Sequence, residues 1–491
     1  MHQFIAGQNL IGSSGKKHDV INPCNGETVE TVVLAGKDDV DAAVAAARQA
    51  FTGWSRTTPG ERSAVLSRFA RLLEDQAEEL AQLESRQTGK PLRLTREFDV
   101  PGTIDNADFF AGAARNLEGR ATAEYSPGHT SSIRREPIGV IGSISPWNYP
   151  LQMAAWKILP AIAAGNTIVL KPAANTPLTS LLFARILQQA GLPNGVVNVV
   201  VGDGQEVGAA LMRHPDVDMV SFTGSTAVGR TVLEAAAVNS KRVHLELGGK
   251  APLVVFDDAD DDAAAHGAVA GSLINTGQDC TAATRAIVHR SVYPAFVEKV
   301  AELYRSIRLG LPEDENTDIG PLISYEHRDH VAAMVERAKD YATVVTGGSI
   351  PVGELAGGAF YEPTLITDAS PDSEIVQDEV FGPVLVVLPF DTDEEAIQLA
   401  NDTPYGLAAS AWTKDVYRAL QATREIKAGC VWINDHIPII SEMPHGGMKQ
   451  SGFGKDMSAY SFEEYTQIKH VMFDLTGRVE KDWHRTIFKA R

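Results

Sequence analysis

Cys280 stands in INTGQDCTAATR, after a helical stretch that breaks at Gly277. A polar, glycine-containing corner of that kind can expose a thiol and keep it partly ionised, and the thiolate is the nucleophilic form of cysteine. Glu246 precedes a glycine pair in HLELGGKAP, where backbone can approach closely and a carboxylate can act as a base. Asn148, in SISPWNYP, occupies a strand-to-helix corner from which its amide can point N–H at a developing oxyanion. Singly, each has a plainer reading: a small buried hydrophobe, a salt-bridged or solvated strand end, a helix cap. Together they describe covalent chemistry at a carbonyl carbon. Cys24, in the turn NPCNGE, reads as a surface residue, and Cys430, in the apolar strand AGCVWIN, as a core residue.

The elements that must position these residues alternate between helical and strand-like segments, with no repeat, low-complexity tract or obvious linker. Helices come first in this reading, from VDAAVAAARQAF to the stop at Gly89 and Pro91. SSIRREPIGVIGSI reads as extended, AAWKILPAIAAG as a buried helix ending at Gly165, and NTIVLKP as a buried parallel strand closed by Pro172. Helix and strand then alternate through VVNVVVG, VDMVSFTG and STAVGRTVLEAAA, a doubly wound, dinucleotide-type order. FTGSTAVG departs from the GxGxxG fingerprint, but it follows a strand and opens a helix, so its backbone N–H groups face an anion site. The pattern restarts beyond KAPLVVFDDAD, where a second lobe is placed. The fold class is α/β.

With 491 residues, the chain exceeds what one core organises, so two or more lobes are expected. Its formal charge of -19 repels phosphate backbones and makes nucleic acid an unfavourable partner. Three widely spaced cysteines suit neither a disulfide framework nor a clustered zinc site, and the expectation is a cytoplasmic enzyme that needs no metal. No signal or membrane segment is expected.

The segments PWNYP, LKPAANTPL, FTGSTAVGR, LELGGKAP, GQDC, EVFGPV and PHGGMKQSGFGKD occur here in the order that characterises the NAD(P)-dependent aldehyde dehydrogenase superfamily, which the chain resembles across roughly residues 140 to 456. The resemblance implies Cys280 as nucleophile, Glu246 as general base and Asn148 as oxyanion donor with the Cys280 backbone N–H. It implies Lys171 at the adenine-side ribose, Glu379 and Phe381 at the nicotinamide ribose and ring, and Gly224, Ser225 and Gly229 in the phosphate turn. Ser145, Pro146, Trp147, Ala173, Ala174, Gly204, Gly208, Phe222, Thr223, Val228, Leu247 and Gly248 complete the expected cofactor surface.

The implied division assigns residues 1–117 and 137–248 to cofactor binding and 249–442 to catalysis. Residues 118–136 and 460–491 become an oligomerisation flap and tail of a homodimer or homotetramer. NAD is the expected cofactor. NADP is admitted, because Ala173 and Ala174 stand where NAD-preferring relatives commonly place a glutamate that accepts from the ribose 2′-OH.

EYSPGHTSSIRREPIGV, GQDCTA, SEMPHGG and SGFGKDMS resemble the bacterial γ-aminobutyraldehyde dehydrogenases, which implies 4-aminobutanal or another ω-aminoaldehyde of polyamine breakdown. Asp279, next to the nucleophile, would pair with the substrate ammonium. Trp156, Thr281 and His445 are the other candidate substrate residues, although Trp156 and Trp432 read equally as core. Asp99, Asp105 and Asp108 could draw in a cation or simply form a solvated face. Betaine aldehyde or another semialdehyde is the rival substrate. A cofactor-independent cysteine hydrolase is the rival class, and the sequence shows no motif-placed histidine for it.

Overall fold

The structure, a computed structural model, describes residues 2–117, 119 and 121–489. Met1, Glu118, Arg120, Ala490 and Arg491, at the margins of the expected lobe 1–117, flap 118–136 and tail 460–491, lie outside the described residues.

Short strands precede the first helix, contrary to the helices-first reading. Gln3–Ile5 and Gln8–Leu10 pair with each other, as do Lys17–Ile21 and Thr28–Val33. Three-residue strands such as QFI and QNL carry too little alternation to announce themselves. Helices Lys37–Trp54, Pro59–Asp75 and Ala77–Thr88 follow, the last ending at Gly89 with φ 79°, a left-handed cap.

An eight-stranded sheet runs in the order Gly452–Phe453, Arg242–Leu247, Met219–Gly224, Val140–Ile144, Thr167–Lys171, Val197–Val199, Gln3–Ile5, Gln8–Leu10. Its five central strands are parallel, and the strands added at either side are antiparallel. From Val140–Ile144 the chain winds outward through Thr167–Lys171 to Val197–Val199, then crosses back to Met219–Gly224 on the other flank. Where the winding direction reverses, adjacent strand ends diverge and leave a crevice, the usual ligand position in such sheets. Asn148 follows one of those strands and Ser225 the other.

A seven-stranded sheet runs Thr343–Thr346, Thr364–Thr367, Val384–Phe390, Ala283–His289, Ala251–Val255, Ala408–Trp412, Cys430–Ile433, parallel except for its first strand. Apolar clusters fill the space between helices and sheets, with Val140, Val169 and Leu245 under the first sheet and Leu253, Ala286 and Leu385 under the second. Between Arg242–Leu247 and Ala251–Val255 only Gly248, Gly249 and Lys250 intervene, so the chain passes from one sheet to the other in three residues.

In a third sheet Thr466–Asp474 pairs antiparallel with His129–Pro137 over nine registered positions, which joins the two edge segments of the expected flap within one chain. Among the described residues, no helix is long and apolar enough to cross a membrane.

Two cysteines differ from expectation. Cys24 lies in its predicted turn but is buried, because Ala359 donates its N–H to the Pro23 carbonyl and the chain at Gly358 covers the turn. Cys430 is half-exposed, since its strand forms an edge of the seven-stranded sheet.

Candidate active site

Glu246 occupies the C-terminal half of the strand Arg242–Leu247, and the parallel register sets it opposite Thr223. It is 1% exposed, and both carboxylate oxygens lack a hydrogen-bond partner, so it is neither salt-bridged nor solvated. Burial holds this carboxyl well above its ordinary range; Asp456 adds in the same direction, while Lys157 and Lys455 oppose it.

Cys280 reaches the same space from the other sheet. The regular helix Asp261–Leu273 stops four residues earlier than the break expected at Gly277, and Asn275, Thr276 and Gly277 follow with φ of 48°, 57° and 73°. Two non-glycine residues in the left-handed region are costly, and such strain persists only where the surroundings over-determine it. Here Asn275 Nδ2 donates to the carbonyl oxygens of Asn148 (2.9 Å) and Gln278 (3.1 Å), and Thr276 Oγ1 to that of Gly320 (3.0 Å). The turn delivers Cys280 into the crevice as a half-buried residue. The expectation of a partly ionised thiol is not met: burial pushes it well above its ordinary value, and the carboxylates of Asp279, Glu246 and Glu379 push it further.

Asn148 is buried, and its Nδ2 donates to the Gln278 carbonyl at 3.1 Å. An amide nitrogen carries two hydrogens, so one remains for the cavity. That cavity, of about 240 Å³, brings together Cys280, Glu246, Asn148, Asp279, Thr281, Trp156 and His445 with Pro146, Trp147, Thr223, Gly224, Ser225, Leu247, Gly248, Glu379 and Phe381.

Ser145, Lys171, Ala173, Ala174, Gly204, Gly208, Phe222 and Val228 lie outside its walls. Lys171 ends its strand buried, with burial lowering its ammonium to about 8, and its side chain runs beside Gly208. Gly204 opens a single π-turn and Val228 is exposed on the first turn of helix Thr226–Ala237, where Ser225 Oγ caps the Val228 N–H at 3.4 Å. Gly229 packs that helix tightly, as a Cβ there would come within 2.7 Å of Leu247.

Several wall residues were invisible in the sequence. Phe98, Tyr149, Gln152, Met153 and Ile439 also line the cavity. Tyr149 Oη donates to Asp279 Oδ2 at 2.7 Å across 130 positions, while Thr281 N and Oγ1 donate to Asp279 Oδ1 at 2.7 and 2.6 Å. Lys90 lies over the Tyr149 ring at 3.8 Å and pairs with Asp99 at 2.7 Å. Asp99 is therefore a buried ion-pair partner and not part of a solvated face, whereas Asp105 and Asp108 are exposed.

His445 is 3% exposed and tilted against Trp156 with ring centroids 5.0 Å apart. Its Nδ1 is 3.6 Å from Glu246 Oε1, too long for a hydrogen bond, and burial keeps the imidazole below its ordinary value and so neutral. Trp432 is outside the cavity, its Nε1 donating to the Pro438 carbonyl at 2.9 Å.

The chain matches the model of the aldehyde dehydrogenase family over residues 10–471. It is 44% identical over 475 residues to an aldehyde dehydrogenase of Emericella nidulans, covering 96% of this chain and 95% of that one. It is 43% identical over 472 residues to the betaine aldehyde dehydrogenase of Bacillus subtilis, covering 95% and 96%. The crystal structure of betaine aldehyde dehydrogenase from Staphylococcus aureus in complex with NAD+ superposes with a TM-score of 0.95 at 39% identity, over 97% of this chain and 95% of that one. With a match that spans nearly its whole length and a thiol, a carboxyl and an amide gathered in one crevice, this chain belongs to the aldehyde dehydrogenase family.

Proposed function

We propose that the chain oxidises an aldehyde to the carboxylic acid with NAD+, and that Cys280, Glu246 and Asn148 carry the chemistry. The observation that bears most weight is the approach of the Cys280 thiol and the Glu246 carboxyl within one crevice, their ligating atoms inside 4.8 Å, with the Asn148 amide on the same wall. Cys280 gives up its proton to water and attacks the aldehyde carbon as the thiolate, and the oxyanion of the thiohemiacetal is held by the free Asn148 N–H and the Cys280 backbone N–H. NAD+ supplies the hydride acceptor. Glu246 then takes a proton from the water that hydrolyses the resulting thioester on Cys280.

The crevice suits the dinucleotide. The hydroxyl of Thr223, on the cavity wall, is buried without a partner, which leaves a donor and an acceptor for a ligand. Glu379 Oε1 accepts from Gly249 N at 2.8 Å, and a Cβ at Gly248 would come within 2.1 Å of Glu379 Oε2, so glycine is required for the carboxylate to stand at the cavity wall. Phe381 holds a positive φ of 56° on that wall. The helix beginning at Thr226 presents its N-terminus toward the same region, which favours pyrophosphate.

Replacing Asn148 with alanine removes one of two oxyanion donors. A fall in kcat of roughly 10²–10³-fold is expected, with little change in nucleotide affinity. Steady-state kinetics with a nucleotide-binding titration checks it.

The substrate class we favour is an ω-aminoaldehyde such as 4-aminobutanal. Asp279 is braced by Tyr149 and Thr281 and lines the cavity, where it can meet an ammonium, and no lysine or arginine is among the lining residues. Betaine aldehyde is the second reading, favoured by the names of two relatives and by the aromatic residues Tyr149 and Trp156 on the cavity wall, a residue type that suits a quaternary ammonium.

Asp279→Asn is expected to raise KM for 4-aminobutanal about tenfold or more and to leave a neutral aldehyde of similar length little affected. Comparison of kcat/KM for 4-aminobutanal, betaine aldehyde and succinate semialdehyde decides the class, and a preference for the last by more than about tenfold would sink the role given to Asp279.

The rival hydrolase gains a histidine in space that it lacked in sequence. His445 and Glu246 share no hydrogen bond, however, so the base has no orienting partner of the kind a triad needs.

A further inference from the structure

We propose that Cys280, Glu246 and His445 together form a binding site for a borderline-soft divalent cation, zinc foremost, and that its occupancy shuts the enzyme by engaging the thiol and the carboxylate at once. A thiol, an imidazole and a carboxylate are the three donor types that zinc takes. One ligating atom from each residue lies within 4.8 Å of the other two. Tetrahedral coordination at bond lengths of about 2.0–2.3 Å sets ligand atoms roughly 3.3–3.8 Å apart. The Glu246 to His445 separation is already 3.6 Å, so a shift of about an ångström at the thiol closes the set.

The second observation is the lack of any other partner. Both Glu246 carboxylate oxygens and His445 Nδ1 are buried without a hydrogen bond, in residues 1% and 3% exposed. Buried polar atoms are nearly always satisfied, and a cation bound among these three would satisfy them together. The donors also come from scaffolding that is fixed before any ion arrives. Glu246 sits in a central strand. His445 is held by a two-way backbone pairing with Asp456, at 2.9 and 2.7 Å, and by the Trp156 ring. Cys280 is delivered by the strained turn Asn275–Gly277.

The surrounding charge favours a cation. The carboxylates of Asp279 and Glu379 act on the thiol, and Lys157 is neutralised by Asp456 at 2.8 Å, which leaves Lys455 as the positive charge that acts on Glu246. Binding forms a metal–sulfur bond and releases the thiol proton, and a carboxyl proton where one is held; nothing is oxidised or reduced. The fourth position faces the cavity, where water completes the tetrahedron.

The binding site stands on this geometry alone, whereas the inhibition rests on the catalytic roles proposed for Cys280 and Glu246, and direct binding separates the two. Zinc chloride and cobalt chloride are titrated into the full-length protein. Expected are one ion per chain, a thiolate-to-cobalt charge-transfer band in the near ultraviolet, and inhibition by zinc that chelator reverses. X-ray absorption of the zinc-loaded wild type should find one sulfur and at least one imidazole. His445→Phe and Glu246→Gln should each weaken binding at least about tenfold, and Cys280→Ser should abolish the band, with NAD+ binding confirming that each variant is folded.

A wild type that binds no ion, or whose zinc shows no imidazole, overturns the site. So does equal affinity in wild type, His445→Phe and Glu246→Gln, which would mean that the thiol alone captures the ion. If aldehyde oxidation proved absent while binding followed this pattern, the catalytic proposal would fail and the metal site would stand.

Discussion

Cys280→Ser is expected to lower kcat/KM for aldehyde oxidation by roughly 10⁴–10⁶-fold while leaving NAD+ affinity close to that of the wild type. The effect is this large because the reaction cannot begin without covalent attachment, and an alcohol in this setting is a far poorer nucleophile than a thiolate. Burial first, and then the carboxylates of Asp279, Glu246 and Glu379 around position 280, already hold the thiol protonated, and they would hold a serine hydroxyl more firmly still. Single-turnover absorbance of reduced nicotinamide measures the outcome. Oxidation at the wild-type rate in the serine variant would remove the mechanism even with the fold intact.

Glu246→Gln should separate the two halves of the reaction. Attack and hydride departure need no base from residue 246, whereas hydrolysis of the thioester does. One equivalent of reduced nicotinamide per chain should therefore form rapidly, followed by turnover reduced roughly 10²–10⁴-fold. In the wild type, kcat should rise with pH, because the working form of a carboxyl held above its ordinary range is the one that appears as pH increases. The glutamine variant should lose that rise.

Stability should move the other way. A carboxyl raised on folding above its ordinary value of 4.5 binds more protons in the folded chain than in the unfolded one, so its contribution is intact below about 4.5 and is lost as pH climbs through the raised value. Glutamine has no such loss. The variant should melt higher at neutral pH, by about 1 °C for each kcal/mol recovered, and the gap should shrink toward pH 4. Calorimetry at several pH values tests it, and a lower melting temperature at pH 7 would contradict the burial argument.

Local patterns were enough to locate the alternation of strand and helix from Val140 to Ala237, because the segments there carry either continuous apolar residues or a helical stripe. They also located Cys280, Glu246 and Asn148, whose motifs are short and chemically distinctive. What escaped has one cause: contact between residues distant in the chain.

The Tyr149 brace on Asp279 spans 130 positions, and nothing in NYP or QDC announces it. The state of the thiol escaped for the same reason, since Glu379 and Glu246 approach it only after both sheets have formed. His445 was visible as a polar residue in PHGG, but its position beside Glu246 depends on the backbone pairing with Asp456. Cys24 was read from its turn alone, and the loop that buries it arrives more than 300 residues later, at Gly358.

The three-residue crossing between the sheets also sets a limit on how the enzyme can vary. A Cβ at Gly249 would stand 2.3 Å from the Cys280 carbonyl oxygen, and one at Gly248 would strike the Glu379 carboxylate. The backbone that carries the thiol and the Glu379 carboxylate thus press on neighbouring positions of one short hinge pin in the polypeptide. Phe98, Trp156 and Ile439 line the cavity from other elements and can change without touching that pin, but any side chain larger than hydrogen at the pin would displace the Cys280 backbone or the Glu379 carboxylate.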